Sequence, residues 1–413
     1  MRIILCDQFY YPDESAIAQI LTDLSLGLAG RGMEVRVLCG SDIYAGDGRT
    51  KSELGERIAA ANIRIHRVPR LMGGHAKKGK LFRQLWFYGV AFLRLLFMRA
   101  PDVYVAQTTP PLLPFVFRVL CFFKRRPYVV IAQDLWPEAL EAHGVLRHDS
   151  FPYRLLGFLL NGAYRRAARV VGLGAHMRER LLAKGIRAER IHDIHNWAPS
   201  ELENLDLKRA RKRLEQGILG EVPPKSGPPT LLYSGNMGLA HEFQTLLEAL
   251  RILKAEGVEF RMLFSGGGNR RDEIRAQAEQ MKLAVEFLPH QPRELLAEHL
   301  MRADVSVITM AESFRGIVVP SKLYGVLAVG SPIAFVGPAC EIADVVREAG
   351  CGIVAVNGDA EGLARELKGA LKSKARREKM ARAARNHYHE RLGSERSIDE
   401  YFRVIESVVV PVR

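Results

Sequence analysis

Residues 312–332 decide the fold prediction and read Glu-Ser-Phe-Arg-Gly-Ile-Val-Val-Pro-Ser-Lys-Leu-Tyr-Gly-Val-Leu-Ala-Val-Gly-Ser-Pro. The pattern predicts a loop that opens at Glu312 and a helix that begins at Pro320 and Ser321. Proline presets the backbone of a first helical turn, and a serine side chain can cap the free amides there. Gly330, followed closely by a proline, ends the predicted helix.

The same stretch combines the groups that bind a phosphate with one that binds hydroxyls. Lys322 flanks the predicted helix N-terminus, where free amides and the helix dipole favour an anion. The carboxylate of Glu312 can hold the hydroxyls of a neutral group attached to that anion. Phosphate and hydroxyl recognition together predict a nucleotide-sugar site. A capped helix in an ordinary α/β domain is the alternative for this stretch taken alone.

Length and composition indicate a globular protein of two domains. The 413 residues are 48% hydrophobic and 26% charged, with a formal net charge of +14 that suits phosphate-rich substrates, anionic lipid or nucleic acid. The five cysteines are widely spaced and lack a CxxC pair, which predicts a reduced, cytosolic protein without a zinc site. The N-terminus predicts a strand rather than a signal peptide, and the sequence has no run of 18 apolar residues.

The chain opens with a strand–helix–strand pattern. Apolar runs predict strands at Arg2–Cys6 and Val35–Leu38, and helical spacing of leucines predicts a helix over Ile20–Leu28. The loop after the first strand carries Asp13, at the strand end where open parallel sheets bind ligands. The pattern lacks G-x-G-x-x-G, so it does not predict a dinucleotide cofactor.

Two further predicted strands, Val103–Ala106 and Tyr128–Ile131, each end in a polar loop. The carboxyl ends of parallel strands share one edge of the sheet, so these loops line one crevice. The second loop offers Gln133, Asp134 and Glu138 as candidates for binding an acceptor. Helix capping beside a nearby proline is the alternative role of the two carboxylates.

Two aromatic-rich, basic stretches, 75–99 and 115–126, predict contact with an anionic membrane surface. Apolar residues cluster over 81–98, with arginines set among them, and the second stretch ends in Lys124-Arg125-Arg126. The alternatives are a buried core helix with a solvated basic edge, or a dimer face.

The second half of the chain repeats the α/β pattern after a linker, rich in Gly and Pro, predicted at 206–229. Strands predicted at Thr230–Tyr233 and Phe260–Phe264 each precede a glycine loop, which brings amides close to a phosphate. The basic helical tail, 361–396, predicts a solvated helix face more strongly than a nucleic-acid site. The predicted donor-binding residues of this half are Ser234, Gly235, Asn236, Gly238, His241, Gly266, Gly267, Pro320 and Ser321.

With these motifs in hand, the sequence resembles the family 4 glycosyltransferases of the GT-B fold, nearly end to end. Within the family it resembles the bacterial branch that builds O-antigen, colanic acid and other surface polysaccharides. The motifs that carry the resemblance are Gln8-Phe9-Tyr10-Tyr11-Pro12-Asp13, Asp134-Leu135-Trp136-Pro137-Glu138, His195-Asn196-Trp197, Tyr233-Ser234-Gly235-Asn236-Met237-Gly238, Gly266-Gly267-Gly268 and Val319-Pro320-Ser321-Lys322-Leu323-Tyr324.

The resemblance implies an α/β protein with two Rossmann-like, doubly wound parallel-sheet domains that face each other across a cleft. Residues 1–205 would bind the acceptor, residues 230–391 would bind the nucleotide-sugar, and a last helix over 392–413 would pack back on the first domain. The family is generally retaining, and the resemblance implies neither a cofactor nor a metal.

The sequence departs from the family pattern at two places. A second glutamate that often binds ribose has its counterpart at Gly325, so Tyr324 is the candidate replacement. Members of the family often have Arg and Lys in the first glycine loop of the second domain. In this sequence Asn236 and His241 lie near those positions. Lys322 would then carry more of the diphosphate charge.

On the donor side, the resemblance implies a UDP-sugar, or as a second choice a GDP-sugar, that loses its diphosphate through an oxocarbenium-like state. Stabilising the leaving diphosphate is the largest contribution expected of the protein. We expect it from Lys322, the Ser321 and Gly235 amides and a protonated His241, while Glu312 holds the sugar.

On the acceptor side, retention by front-face attack lets the departing phosphate take the acceptor proton, so a protein base is not obligatory. Asp134 or His176 can orient the acceptor, although a residue such as His176 also simply begins a helix. The catalytic candidates are therefore Glu312, Lys322 and Asp134. The implied acceptor is a polyprenyl-diphosphate-linked sugar or a saccharide at the inner face of the cell membrane.

Three other functions are open at this stage. A GT-B sugar-nucleotide epimerase would need no acceptor. A non-catalytic member of a polysaccharide assembly complex would tolerate the missing glutamate. A nucleic-acid binder would use the positive charge, but the sequence has no recognised nucleic-acid motif, and phosphate-rich substrates with a membrane explain the charge equally well.

Overall fold

The computed structural model describes residues 1–41, 52–70, 77–215 and 227–409. These residues form two compact units. The start of the basic stretch predicted at 75–99, and residues 216–226 of the predicted linker, lie outside the described residues. Unit 1 comprises Met1–Asn196, Gly316–Val319 and Ser394–Arg413, and unit 2 comprises Trp197–Arg315 and Pro320–Gly393.

Unit 1 is built on a seven-stranded parallel sheet of order β3-β2-β1-β4-β5-β6-β7. Its central strands are short apolar runs that are buried along their whole length, as parallel strands covered on both faces must be. The order reverses between β1 and β4, which is the switch point at which doubly wound sheets bind ligands. The strands are β1 (Arg2–Cys6), β2 (Glu34–Gly40), β3 (Arg64–Val68), β4 (Val103–Gln107), β5 (Tyr128–Ile131), β6 (Arg169–Gly172) and β7 (Ile191–Asp193).

Helices connect these strands, and several begin with a serine cap. Ser15 accepts a hydrogen bond from the Ala18 amide at the start of the first helix, and Ser150 caps the sixth in the same way. The helices are α1 (Ala16–Gly30), α2 (Ser52–Ala60), α3 (Lys77–Phe97), α4 (Leu113–Lys124), α5 (Glu138–Ala142), α6 (Phe151–Arg166) and α7 (Ala175–Ala183).

Unit 2 holds a six-stranded parallel sheet of order β10-β9-β8-β11-β12-β13. Its strands are β8 (Thr230–Ser234), β9 (Arg261–Ser265), β10 (Val285–Leu288), β11 (Val305–Thr309), β12 (Ile333–Val336) and β13 (Gly352–Ala355). Its helices are α8 (Ser200–Glu203), α9 (Leu207–Glu215), α10 (Gln244–Ala255), α11 (Arg271–Gln280), α12 (Leu296–Met301), α13 (Lys322–Ala328), α14 (Glu341–Ala349), α15 (Ala360–Lys372) and α16 (Lys374–His387).

The basic helix α16 does more than present a solvated face. Arg377 donates to the carbonyl of Ala370 at 2.8 Å, near the end of α15. Arg385 donates to the carbonyl of Ala328, at 2.6 Å, at the end of α13. Cations at helix C-termini satisfy carbonyls that lack a partner within the helix, so two of these arginines hold unit 2 together.

The last helix, α17 (Ser394–Val409), belongs to unit 1 and packs against α1. Arg31 at the end of α1 joins the two helices, with a nitrogen 2.7 Å from a carboxylate oxygen of Asp399 and another 2.7 Å from one of Glu395. Residues 410–413 of the predicted last helix lie outside the described residues.

Two segments pack with a different unit from the one expected from sequence. Residues 197–205 belong to unit 2, where the Ala198 amide donates to the Tyr388 hydroxyl at 3.0 Å. Residues 316–319 belong to unit 1, where the Leu135 amide donates to the Ile317 carbonyl at 3.1 Å.

The predicted fold class is confirmed, with a Rossmann-like parallel sheet in each unit. Within the described residues, the structure contains no helix that is both long enough and apolar enough to span a bilayer.

Candidate functional site

The two glycine loops of unit 2 are joined at the carboxyl edge of its sheet. The Gly235 amide donates to the Ser265 carbonyl at 2.9 Å, and the Met237 amide donates to the Gly267 carbonyl at 2.7 Å. A Cβ at Gly266 would lie 2.3 Å from the Gly235 oxygen, and φ there is +126°. Glycine is therefore required at position 266 for the two loops to contact each other.

Lys322 projects from the first turn of α13 onto this pair of loops. Its Nζ donates to the Tyr233 hydroxyl at 2.7 Å and lies 4.0 Å from the centre of the tyrosine ring. A Cβ at Gly235 would be 3.2 Å from the same Nζ, so the ammonium rests directly on the loop backbone. Burial lowers the pKa of Lys322 to about 7.

His241 does not fit the prediction that it binds a phosphate as a protonated imidazole, because it is buried beside Lys322. Its Nδ1 lies 2.6 Å from the Thr309 carbonyl, which fixes Nδ1 as the protonated nitrogen. Burial, with the nearby Lys322, lowers the pKa of His241 to about 3. A second cation nearby is Arg270, which donates to the His241 carbonyl at 2.7 Å.

One predicted amide donor and one predicted side-chain cap are also corrected. The Gly235 amide is bonded to Ser265, so it is not available to a phosphate. Ser321 precedes α13 as expected, but its side chain makes no capping hydrogen bond. The loop presents instead an exposed Asn236 beside the buried Gly238, where a Cβ would lie 2.8 Å from the asparagine nitrogen.

Glu312 begins a short 3-10 turn, Glu312–Phe314, that follows β11. Its side chain is exposed. The Ala311 amide just before it donates to the Ala240 carbonyl at 2.9 Å, next to His241. The structure therefore brings the Glu312 turn to the same loop that Tyr233 and Lys322 contact.

The remaining donor-side candidates differ in exposure. Ser234 and Pro320 are half-buried, and Gly267 is exposed. Tyr324 is 1% exposed, so it packs in the interior of unit 2 and is not a surface for ribose. A Cβ at Gly325 would already lie 3.1 Å from Leu202, so a glutamate there would have to displace its neighbours.

In unit 1, Asp134 lies at the carboxyl edge of the sheet. It forms an isolated antiparallel β-bridge with Val318. Its amide donates to the Thr108 hydroxyl at 3.2 Å, and burial raises the pKa of its carboxyl to about 6. Asp7 and Gln107 were not predicted from the sequence as site residues. They directly follow Cys6 and Ala106, which pair across the neighbouring strands β1 and β4. Both are fully buried there, with side-chain atoms that lack a partner among the described residues.

Two acceptor-side candidates serve the local structure. Gln133 and Asn196 exchange two side-chain hydrogen bonds, at 2.8 and 3.2 Å, and both are buried. Asp13 accepts from the Ser15 amide at 2.7 Å just before α1. His176, the second residue of α7, is half-buried, and its carbonyl would lie 2.7 Å from a Cβ at Gly316.

Glu138 forms a buried ion pair with Lys184 rather than facing an acceptor. The side chains are 19% and 5% exposed, and Lys184 also donates to Asn161 at 3.2 Å. Burial lowers the pKa of the Lys184 ammonium, and Glu138 opposes that shift. Lysine and glutamate lie far apart in the sequence, so local spacing did not reveal the pair.

We expect Glu138→Gln to lower the free energy of unfolding by about 2 kcal/mol, because it leaves a buried ammonium without its counter-charge. Chemical denaturation measures this, with Glu179→Gln, at an exposed position of α7, as the control. A variant as stable as the unmodified protein would contradict the structural role and restore Glu138 as an acceptor ligand.

If Lys322 binds the diphosphate of a nucleotide-sugar, as the sequence predicts, the affinity for that ligand falls as the pH rises above about 7, about tenfold per pH unit. The free Lys322 ammonium has a pKa of about 7, and a bound diphosphate raises it, so binding above that pH takes up a proton. Calorimetry with UDP-glucose from about pH 6 to about pH 8.5 tests this, because its diphosphate does not titrate in that range. A Lys322→Met variant should show a flat profile, and a flat profile in the unmodified protein would contradict the assignment.

Comparisons with known proteins match both halves of the chain. The model of the Glycosyl transferase 4-like domain matches residues 15–197, and that of Glycosyl transferases group 1 matches residues 218–387. The probable glycosyltransferase WbjE of Pseudomonas aeruginosa is 31% identical over 271 residues, which are 65% of this chain and 65% of that protein. The putative colanic acid biosynthesis glycosyl transferase WcaI of Escherichia coli K12 is 23% identical over 80% of this chain and 82% of its own.

Solved structures agree on the fold. The Anabaena protein HepE, solved with UDP and glucose, has a TM-score of 0.71 at 16% identity, covering 98% of this chain and 100% of its own. WaaG, a glycosyltransferase involved in lipopolysaccharide biosynthesis, has a TM-score of 0.68 at 19% identity, covering 98% and 99%. At these identities the likeness shows the fold alone.

Proposed function

Because this chain belongs to the family 4 glycosyltransferases of the GT-B fold, we propose that it transfers a sugar from a nucleotide-sugar to an acceptor in surface polysaccharide biosynthesis. The observation that carries the proposal is the seating of the Lys322 ammonium on the Gly235 loop, in contact with Tyr233. Among the described residues, no carboxylate is paired with its Nζ, and a cation held in this way suits a diphosphate.

The donor we propose is a UDP-sugar. HepE, whose fold this chain shares, was solved with UDP and with UDP-glucose. A GDP-sugar is the second choice. In this assignment Lys322 and the loop around Asn236 and Gly238 hold the diphosphate, while the exposed carboxylate of Glu312 holds sugar hydroxyls.

The transfer we propose retains the anomeric configuration. The C–O bond to the diphosphate breaks, charge develops on the phosphate oxygens, and Lys322 stabilises that charge. The departing phosphate then takes the proton of the attacking hydroxyl. On unit 1, the Asp134 carboxyl, whose pKa is raised to about 6, positions the acceptor hydroxyl.

The acceptor we propose is a polyprenyl-diphosphate-linked sugar, or a free saccharide, at the cytoplasmic face of the membrane. WbjE, WcaI and WaaG are described as glycosyltransferases, the last two with roles in colanic acid and lipopolysaccharide biosynthesis. The proposal includes no metal or other cofactor, so transfer that continues in the presence of EDTA is expected.

A panel of UDP- and GDP-sugars, screened by thermal shift and then by product analysis, tests the proposal. A donor at about 100 times its dissociation constant stabilises the protein by about 2.7 kcal/mol. Donor hydrolysis or sugar transfer supports a transferase, whereas an isomerised nucleotide-sugar would identify an epimerase. If every donor fails to stabilise the protein, the donor site is refuted and a non-catalytic role in an assembly complex is favoured.

A further inference from the structure

We propose that Arg270 is a positioning residue for donor binding and that Glu273 orients it. Arg270 holds the turn formed by residues 238–241, which we call the phosphate turn, so that the amides of this turn receive the phosphate that carries the sugar. The ligand is the nucleotide-sugar of the proposed function, on which this role therefore rests. Neither Arg270 nor Glu273 was predicted from the sequence as a site residue.

The phosphate turn follows β8, and the protein engages its carbonyl groups. The His241 amide donates to the Gly238 carbonyl at 3.2 Å, which closes the turn. The Ala240 carbonyl accepts from the Ala311 amide at 2.9 Å, and the His241 carbonyl accepts from Arg270 at 2.7 Å. The turn is therefore held through its oxygens.

The amides of the same turn are not engaged in this way. Among the described residues, the amides of Gly238, Leu239 and Ala240 have no hydrogen-bond acceptor. Leu239 is 48% exposed and Ala240 is half-buried, so part of the turn lies at the surface of unit 2. Successive amides without acceptors create a positive partial charge that suits an anion such as a phosphate.

Arg270 contacts the loop on both sides of the phosphate turn. Its amide donates to the Met237 carbonyl at 3.1 Å, directly before the turn, and its Nη1 donates to the His241 carbonyl at the end of the turn. Its guanidinium carbon also lies 5.8 Å from the centre of the Phe243 ring. A single residue thus fixes both ends of the turn, and its planar guanidinium offers the several donors that this requires.

Glu273 orients this guanidinium. Its two carboxylate oxygens accept from Nε of Arg270 at 2.9 Å and from Nη2 at 2.8 Å, a bidentate pair that leaves Nη1 for the His241 carbonyl. The Glu273 side chain is 45% exposed, and an exposed ion pair of this kind contributes little to stability. The pair therefore serves to aim Arg270 more than to stabilise unit 2.

The neighbours of the phosphate turn indicate which phosphate it receives. The Ala311 amide, which donates to a carbonyl of the turn, directly precedes Glu312, the proposed ligand of the sugar hydroxyls. The same loop is joined to Lys322 through Tyr233, whose hydroxyl donates to the Asn236 carbonyl at 2.8 Å. We therefore assign to the turn the phosphate next to the sugar, which is the β-phosphate of UDP.

Calorimetric titration with UDP and with UMP tests this role, because only UDP has a β-phosphate. We expect Arg270→Met to weaken UDP binding by about tenfold and UMP binding by less than about twofold, so that the preference for UDP falls. A general loss of structure would weaken both ligands alike. Arg271→Met is the matched control: it removes the same charge at the next position, where the side chain lies over Phe287, and the preference should not change.

Two further variants separate orientation from charge. Glu273→Gln keeps the Arg270 guanidinium and removes the carboxylate that orients it, so we expect UDP binding to weaken by about threefold. If Arg270 acted only as a nearby charge, loss of this carboxylate would tighten UDP binding instead. Arg270→Lys keeps the charge without the planar fork, and we expect it to lose most of the preference for UDP.

The outcomes distinguish this role from the donor assignment. Failure of the unmodified protein to bind UDP would overturn both. UDP binding with an unchanged preference in Arg270→Met, tighter binding by Glu273→Gln, or full preference in Arg270→Lys would each overturn the role of Arg270 alone. Denaturant midpoints establish that each variant is folded, and we expect them to stay close to that of the unmodified protein.

Discussion

Replacing Lys322 with alanine is expected to lower kcat/KM by about 10²- to 10³-fold, the cost of removing one preorganised group that stabilises developing charge. The ammonium is positioned before any substrate binds, because Tyr233 holds it at 2.7 Å and its ring supports it from 4.0 Å. It therefore meets the leaving diphosphate without reorganisation. Steady-state kinetics with the donor identified by the screen measure the loss.

The same substitution should leave the fold intact. Burial lowers the pKa of Lys322 to about 7, so the folded protein holds this ammonium at a cost that alanine removes. Tyr233→Phe is the matched variant: it keeps the ring and deletes the hydroxyl that orients Nζ, and we expect a smaller loss, about tenfold. An alanine variant that folds and turns over normally would remove Lys322 from the site.

The strands of unit 2 and their glycine loops could be predicted because the signals are local. An apolar run at Thr230–Tyr233 became β8, and the glycine loop predicted after the next strand follows β9, with positive φ at Gly266 and Gly268. The hydrogen-bond partners of the loop atoms could not be predicted from the sequence. The Gly235 amide and the His241 ring have their partners at Ser265 and Thr309, each far along the chain.

The polar residues of unit 1 show the same limit. Gln133 and Glu138 lie where the strand pattern placed them, yet each is engaged by a residue from another element, Asn196 or Lys184. A sequence gives the position of a carboxylate but not the distant cation that neutralises it.

Gly266→Ala is expected to destabilise the protein by about 3–5 kcal/mol, the largest stability change that we predict for a single methyl group. The added Cβ would lie 2.3 Å from the Gly235 carbonyl oxygen and 2.9 Å from its carbon, which are backbone atoms that cannot rotate away. The φ of +126° adds strain for any residue with a side chain.

The loss should reach the donor site as well as the fold, because the loop that must shift contacts the ammonium of Lys322: a Cβ at Gly235 would lie 3.2 Å from its Nζ. Gly267→Ala is the control. A Cβ there would meet nothing within 4 Å, so we expect a change below about 1 kcal/mol. Denaturant midpoints compare the two, with UDP-glucose affinity as the second readout. Equal midpoints for the two variants would show that the loops separate easily, and the close backbone contact could then not be what positions the lysine.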